Sequence, residues 1–439
     1  MTGTDRSLLD FFLAQRRDPL GFLVRAARES GDVVFFRLGS GGLLLVSAPD
    51  TIQEILVNRA REFHKAQGPQ AKLIPWGRRI LGSGLLISEG ETWLRQRRMM
   101  QPAFHRERIA GYERAIRDRT IEMLSRWDGS VRDVHAALSA LTLTVMAETI
   151  FGSAAQAGAI ESALGELFRH RSPQRLTFLT PEWLPTSANR RTGAALRKID
   201  ERIYGEIAAR RQRNSAGTDL LSLLVAARDD TGAPMSDRFV RDEVMSTLVA
   251  GHDTLSSTLT WLLWMVAQRP DIEARLVREI AETGDRTRFG SGDLAVRSVV
   301  ANVTKEALRL FPPGKSVVRT TIARCEVAGR TLEAGTYIVM SQWVVHRDPR
   351  FFADPESFLP DRWASGDLER RLPRFAYFPF GGGPRLCLGY AFAETMLRVV
   401  AAEVIGAAHL TLDPDPARRA WDRATLRPTR GIWMSATRR

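Results

Sequence analysis

Cysteine is nearly absent, with only Cys325 and Cys387 in 439 residues. Two sulfurs cannot build a disulfide framework, and no C-x-x-C pair is present to hold zinc, which wants four ligands. A reducing, cytoplasmic setting is therefore expected. Lysine is almost as scarce. Lys65, Lys72, Lys198, Lys305 and Lys315 are the only ones, so nearly all of the 63 basic side chains are arginines. These are spread along predicted helices beside Asp and Glu, and no nucleic-acid motif accompanies them. The net charge of +13 thus points away from nucleic acid and toward a locally basic face for an acidic protein partner. Long hydrophobic runs are missing as well. The cluster from Phe11 to Leu13 follows no basic leader and is broken at once by Gln15, Arg16 and Arg17. Neither a signal peptide nor a membrane anchor is expected. Repeats, low-complexity tracts and a convincing linker are also lacking.

What remains is the composition of a soluble globular protein, 44% apolar and 26% charged. Length alone would allow two or three domains. The pattern instead predicts one domain over residues 1–439, mainly α with small β-sheets. Residues 32–50 read as two strands around a Gly-rich turn, followed by a helix from Thr51. Residues 317–341 form a second β region, with turns at Ala328-Gly329 and Ala334-Gly335. Residues 110–127 and 131–151 are amphipathic helices, while 214–220 and 282–294 read as surface loops. One predicted helix is unusually long, from a Ser236 N-cap to a stop at Pro270. It has no heptad seam, and His252 and Asp253 interrupt its apolar face, so it is read as a helix through the centre of a large domain. Gly251 in its middle costs about 1 kcal/mol relative to Ala and predicts a kink, made either for packing or for function.

The sequence FGGGPRLCLG, residues 380–389, places Cys387 in a glycine run. One thiolate suffices as a protein ligand when a porphyrin supplies the other in-plane ligands. Gly381, Gly382 and Gly383 would let backbone approach a flat ring closely. Leu388-Gly389 opens a helix, whose first free N–H groups can stabilise a thiolate. Arg385 would supply a cation for a porphyrin propionate. Two other readings stand beside this one. A phosphate-cradling loop lacks a G-K-[ST] and loses a donor at Pro384, and a free cysteine can simply be buried in a turn.

This loop resembles the haem-binding loop of the cytochrome P450 superfamily, F-x-x-G-x-R-x-C-x-G. Other segments agree with that family in the right order: WLRQR (93–97), AGHDT (250–254), EALR (306–309) and PDRW (360–363). Asp361 and Trp363 stand where Glu and Phe are commoner. The resemblance implies a cytochrome P450 fold of the soluble bacterial type, with a long central helix over haem. It implies haem b ligated by the Cys387 thiolate, with Phe380, Gly381, Arg385 and Gly389 around it. Trp93, Arg97 and Arg319 become propionate partners, although without the family Trp93 and Arg97 read as a solvated face. Ala250 and Gly251 would border the haem, with Gly251 leaving space for oxygen, and Asp253 and Thr254 would form a catalytic proton relay. Glu306, Arg309 and Arg362 are expected to form a structural triad.

The implied activity is monooxygenation with O₂ of an apolar small molecule such as a terpenoid, fatty acid or polyketide-like compound, in secondary metabolism. Oxidative coupling and desaturation are alternative outcomes, and a non-oxygenating haem-thiolate sensor is an alternative of another class. With no flavin or ferredoxin module in the chain, electrons are expected from a separate ferredoxin or flavodoxin and its reductase. Arg95, Arg98, Arg106 and Arg108 are the candidate docking face. Residues 68–88 and 172–185 are read as lids over the substrate pocket, and a monomer is expected.

Overall fold

The computed structural model describes residues 5–7, 18–38, 41–65, 75–170, 183–213, 217–229, 232–292, 294–413, 426–428 and 431–439. Residues 172–182 of the second lid, 68–74 of the first and the cluster at 11–13 lie outside this set.

Helix dominates. The longer helices are α1 (Pro19–Ser30), α2 (Pro75–Leu81), α3 (Gly90–Met100), α4 (Arg106–Ser125), α5 (Val134–Phe151) and α6 (Ala157–His170). They continue with α7 (Ser187–Arg213), α8 (Asp237–Val266), α9 (Pro270–Thr283), α10 (Val299–Leu310) and α11 (Tyr390–Ala407). Strands β1 (Asp5–Ser7), β2 (Val33–Leu38), β3 (Gly41–Val46) and β4 (Phe63–His64) precede β5 (Val317–Thr321) and β6 (Tyr337–Met340). These build one sheet in the order β1-β2-β3-β6-β5-β4. The hairpin of Cys325–Val327 and Arg330–Leu332 turns at Ala328-Gly329, both with positive φ, as the sequence predicts.

The core lies where α5, α8, α10 and α11 pack together. By length and composition α5 could cross a membrane, but 67% of it is buried inside the protein. Asp133 caps it by accepting from His135 and Ala136 N–H. The long helix α8 starts as predicted, with the Ser236 hydroxyl accepting from Phe239 N–H. It ends at Val266, and Pro270 starts α9 rather than stopping α8. Its thirty residues, about 45 Å at ~1.5 Å each, run helical through Gly251 without a break. The loop reading of 282–294 also needs correction, since α9 runs to Thr283 and Arg286–Phe289 forms a 3₁₀ turn that buries Phe289 completely.

The predicted triad is present and larger than a triad. Glu306 and Arg309 are fully buried on one face of α10, with carboxylate–guanidinium contacts of 2.8 and 2.9 Å. Arg362 Nε donates to the same carboxylate at 3.1 Å, Trp363 Nε1 at 2.8 Å and Leu359 N–H at 3.0 Å. Trp363, where the family more often has Phe, thus adds a donor to the network. Arg309 in turn donates to the carbonyls of His346, Pro355 and Ser357.

Removing one member of a fully buried ion pair leaves an uncompensated charge. Glu306→Ala should therefore lose about 3–5 kcal/mol in denaturant unfolding. The exposed pair Arg275–Asp361 provides the contrast, and Arg275→Ala should lose less than about 1 kcal/mol. Similar losses in both variants would refute the network's structural role.

Candidate functional site

The cysteine loop is held by its own backbone. Cys387 N–H donates to Phe380 O at 3.0 Å, and Gly381 N–H to Phe378 O at 2.9 Å. Gly381 and Gly383 have φ of 74° and 67°, which favours glycine. Two of the three glycines also make room for protein. A Cβ on Gly383 would come within 1.8 Å of Leu56 O, and one on Gly382 within 2.2 Å of the Phe375 ring. Phe380 is half-buried near Tyr390, with ring centroids 6.3 Å apart.

Cys387 is accessible to solvent yet closely surrounded by protein, as a side chain in the wall of a cleft would be. Burial pushes its thiol up, while the Gly389 N–H, Arg97 and Lys65 pull the other way. The predicted help from the start of α11 thus comes from its N-cap, Gly389. Cys325 lies elsewhere, on the small hairpin.

Four cations gather beside this loop. Arg97 on α3 donates to Leu386 O at 2.9 Å. Arg385 lies 4.3 Å from the Trp93 ring centroid and Arg97 5.8 Å, so Trp93 carries two guanidiniums. Arg319 on β5 is buried, and Lys65 directly follows β4, whose His64 pairs with Thr320 beside Arg319. Burial holds all four below their usual range, Lys65 down to about 8 and Arg319 to about 10. Arg385 and Arg319 lower Lys65 further by like-charge repulsion. The carboxylate nearest at hand is Glu89, which pairs with Arg385 and accepts from Lys65 N–H at 2.7 Å. Arg385 Nη1 is buried without a hydrogen-bond partner. Four cations to one carboxylate, with a donor left over, match the two carboxylates of a haem, so the residues present fit that group.

Lys65 and Glu89 are the residues that sequence reasoning missed. Lysine's scarcity singled out Lys65, but only the β4–β5 pairing brings it to Arg319.

On α8, Thr254 Oγ1 donates to Ala250 O at 2.7 Å. Asp253 lies 3.6 Å from Arg427, a residue near the C-terminus that the sequence reading did not single out. His252 is buried, its Nε2 2.9 Å from Ser139 Oγ, and burial lowers it to about 4, so it stays neutral. A Cβ on Gly251 would lie 2.7 Å from Met146 Cε of α5. The glycine therefore allows close packing of α5 on α8. Of the docking arginines, Arg95 and Arg98 are exposed, whereas Arg108 donates to Thr218 O. The side chain of Arg106 lies outside the described residues.

Glu243, two turns before Ala250, is fully buried. It accepts from Leu85 N–H at 3.1 Å, and its Oε1 has no partner.

A mainly helical fold with a cysteine loop ringed by cations fits a haem-thiolate protein. The family model described as Cytochrome P450 matches residues 8–431. Cyclooctat-9-en-7-ol 5-monooxygenase of Streptomyces melanosporofaciens is 34% identical, covering 90% of this chain and 86% of its own. Pentalenene oxygenase of Streptomyces avermitilis is 31% identical over 96% and 94%. Among solved structures, CYP175A1 from Thermus thermophilus is 27% identical with a TM-score of 0.75, covering 99% of both chains. Retinoic acid-bound cyanobacterial CYP120A1 reaches a TM-score of 0.81 at 23% identity, over 94% and 93%. The chain belongs to the cytochrome P450 family. It is a monooxygenase of apolar substrates, with thiolate-ligated haem b as cofactor and O₂ and redox partners as co-reactants.

Glu243 generates a pH prediction. Burial raises it from 4.5 to about 7. The folded state thus holds a proton that the unfolded state releases, and stability falls as pH rises from about 4.5 to 7. Glu243→Gln keeps an acceptor for Leu85 and removes this penalty. It should stabilise the protein by on the order of 2–3 kcal/mol above pH 7 and by nothing below about pH 4.5. Unfolding curves at both ends of that range provide the measurement, and a pH-independent difference would contradict the assignment.

Proposed function

We propose that this protein is a single-domain, monomeric monooxygenase that hydroxylates a terpenoid. It receives electrons from a separate ferredoxin or flavodoxin with its reductase. The observation that carries this reading is the gathering of Lys65, Arg97, Arg319 and Arg385 around the Cys387 loop. The relatives named for cyclooctat-9-en-7-ol and pentalenene support the terpenoid class.

In this reading Cys387 is the iron ligand, and bound haem supplies reductive activation of O₂ for insertion into a C–H bond. Gly389 N–H steadies the sulfur's negative charge. Trp93, Arg97, Lys65, Arg319 and Arg385 hold the two haem carboxylates, and Phe380 and Gly381 keep the loop in place. Ala250 and Gly251 present helix backbone at the reacting centre. Asp253 moves protons inward, exchanging its contact with Arg427 for water at the surface. Thr254 holds a proton at its hydroxyl, oriented by Ala250 O. Exposed Arg95 and Arg98, on the same helix as Arg97, support docking of an acidic electron carrier at that face.

The ligand assignment is tested by the reduced, carbon monoxide-treated protein, which should absorb near about 450 nm as a haem-thiolate does. Cys387→Ser should lose that band and Cys325→Ser should keep it; the reverse pattern would overturn the assignment.

The relay is tested by coupling. Thr254→Ala should retain folding and haem, continue to consume NAD(P)H, and form severalfold less product with matching release of hydrogen peroxide. That loss is consistent with removing a proton-transfer contribution of about 10²-fold. Asp253→Asn should slow consumption itself. Full coupling in Thr254→Ala would transfer the role to another hydroxyl.

A further inference from the structure

A second set of arginines gathers where α2, α7 and the start of α8 meet, around a cavity of about 250 Å³. Its acids are already engaged. Asp200 accepts from the buried Arg241 at 2.7 Å, while Asp242 accepts from Arg241 at 3.0 Å and from Ser83 N–H at 2.8 Å. Four more arginines line the cavity, Arg78 and Arg79 on α2, Arg197 on α7 and Arg238 in the first turn of α8. Among the described residues, the side chains of Arg78, Arg197 and Arg238 make no hydrogen bond or ion pair.

Surface arginines usually point apart into water, and here two are brought together. A Cβ on Gly193 would lie 3.6 Å from Arg197 Nη1 and 3.8 Å from Arg79 Nη2. Guanidiniums from two different helices therefore converge over a residue with no side chain to separate them. An anion placed between them would meet both guanidiniums. The Tyr204 hydroxyl in the cavity wall is a further donor. The first turn of α8 adds the positive end of a thirty-residue helix. Several fork-shaped donors with one hydroxyl suit an anion with many oxygens and more than one charge.

We propose that this cavity binds a phosphate-bearing small molecule, best of all one ending in a diphosphate. The bound anion pins α2 against α7 and α8. Because α2 belongs to the segment expected to cover the substrate pocket, occupancy of this site slows substrate entry and exit. The proposal does not depend on the identity of the substrate.

The test titrates inorganic diphosphate into the haem-loaded protein at low ionic strength by calorimetry. One saturable site is expected, with inorganic phosphate binding more weakly. Arg197→Glu/Arg238→Glu should weaken diphosphate binding at least tenfold while retaining the haem spectrum and melting temperature. Arg370→Glu/Arg371→Glu, an equal charge change on a remote exposed helix, should leave it unaltered. Amide exchange in α2 should slow with diphosphate in the wild type and not in the first variant. A phospholipid headgroup offers the same chemistry. Cosedimentation with phosphatidylglycerol vesicles that diphosphate abolishes identifies a headgroup as the ligand, and binding of free diphosphate alone identifies a soluble one. No saturable binding, equal losses in both variants, or unchanged exchange in α2 would each overturn the proposal.

Discussion

The buried carboxylate of Glu306 is the point on which the cysteine side of the molecule hangs. It accepts from Arg309, Leu359, Arg362 and Trp363, so both oxygens are fully engaged without water. Arg309 extends the network to three carbonyls of the chain that follows β6, among them that of His346. His346 is itself completely buried, and its Nε2 accepts from Phe378 N–H at 3.0 Å. Phe378 O then receives Gly381 N–H, at the start of the cysteine loop. The loop is thus bonded, link by link, to a helix in the core. Ion pairs this deep bring little net stability, because desolvation offsets the attraction. What they bring is a unique position for a chain segment that has almost no regular structure of its own.

The cation cluster is the opposite kind of arrangement, poorly compensated within the protein. Lys65, Arg97, Arg319 and Arg385 all sit below their usual range because burial disfavours their charges. Such a site is destabilising alone and becomes favourable when a dianionic group enters it. Binding free energy of that origin is also folding free energy for the segments that carry the cations. These segments are β4, α3, β5 and the cysteine loop, which come from distant parts of the chain.

The polar stretch of α8 depends on how close α5 lies. Met146 of α5 fills the space beside Gly251, and Ser139 of the same helix reaches His252. The histidine is kept neutral and facing α5. Asp253, next in sequence, is left near the surface with Arg427, and Thr254 is bonded to the turn before it. Three adjacent polar residues are thus sent in three directions by the helical step of 100°, one to α5, one to Arg427 and one to the helix itself.

Much of this was legible in the sequence. The helix from Ser236, the hairpin at Ala328-Gly329 and the Glu306–Arg309 pair follow from local spacing, because each depends on residues a few positions apart. Where α8 ends was harder to read, since a proline can either stop one helix or start the next. The glycines at 251, 382 and 383 were legible as special, but not the protein neighbours that each of them admits. A missing Cβ says only that something approaches, and the fold alone decides that it is Met146, Phe375 or Leu56. Glu89 and Arg427 were not legible, and Lys65 only as one of few lysines, without its place in the site. Their partners lie hundreds of residues away or on another strand, and no local pattern records a contact that exists only once the sheet has paired and the helices have packed.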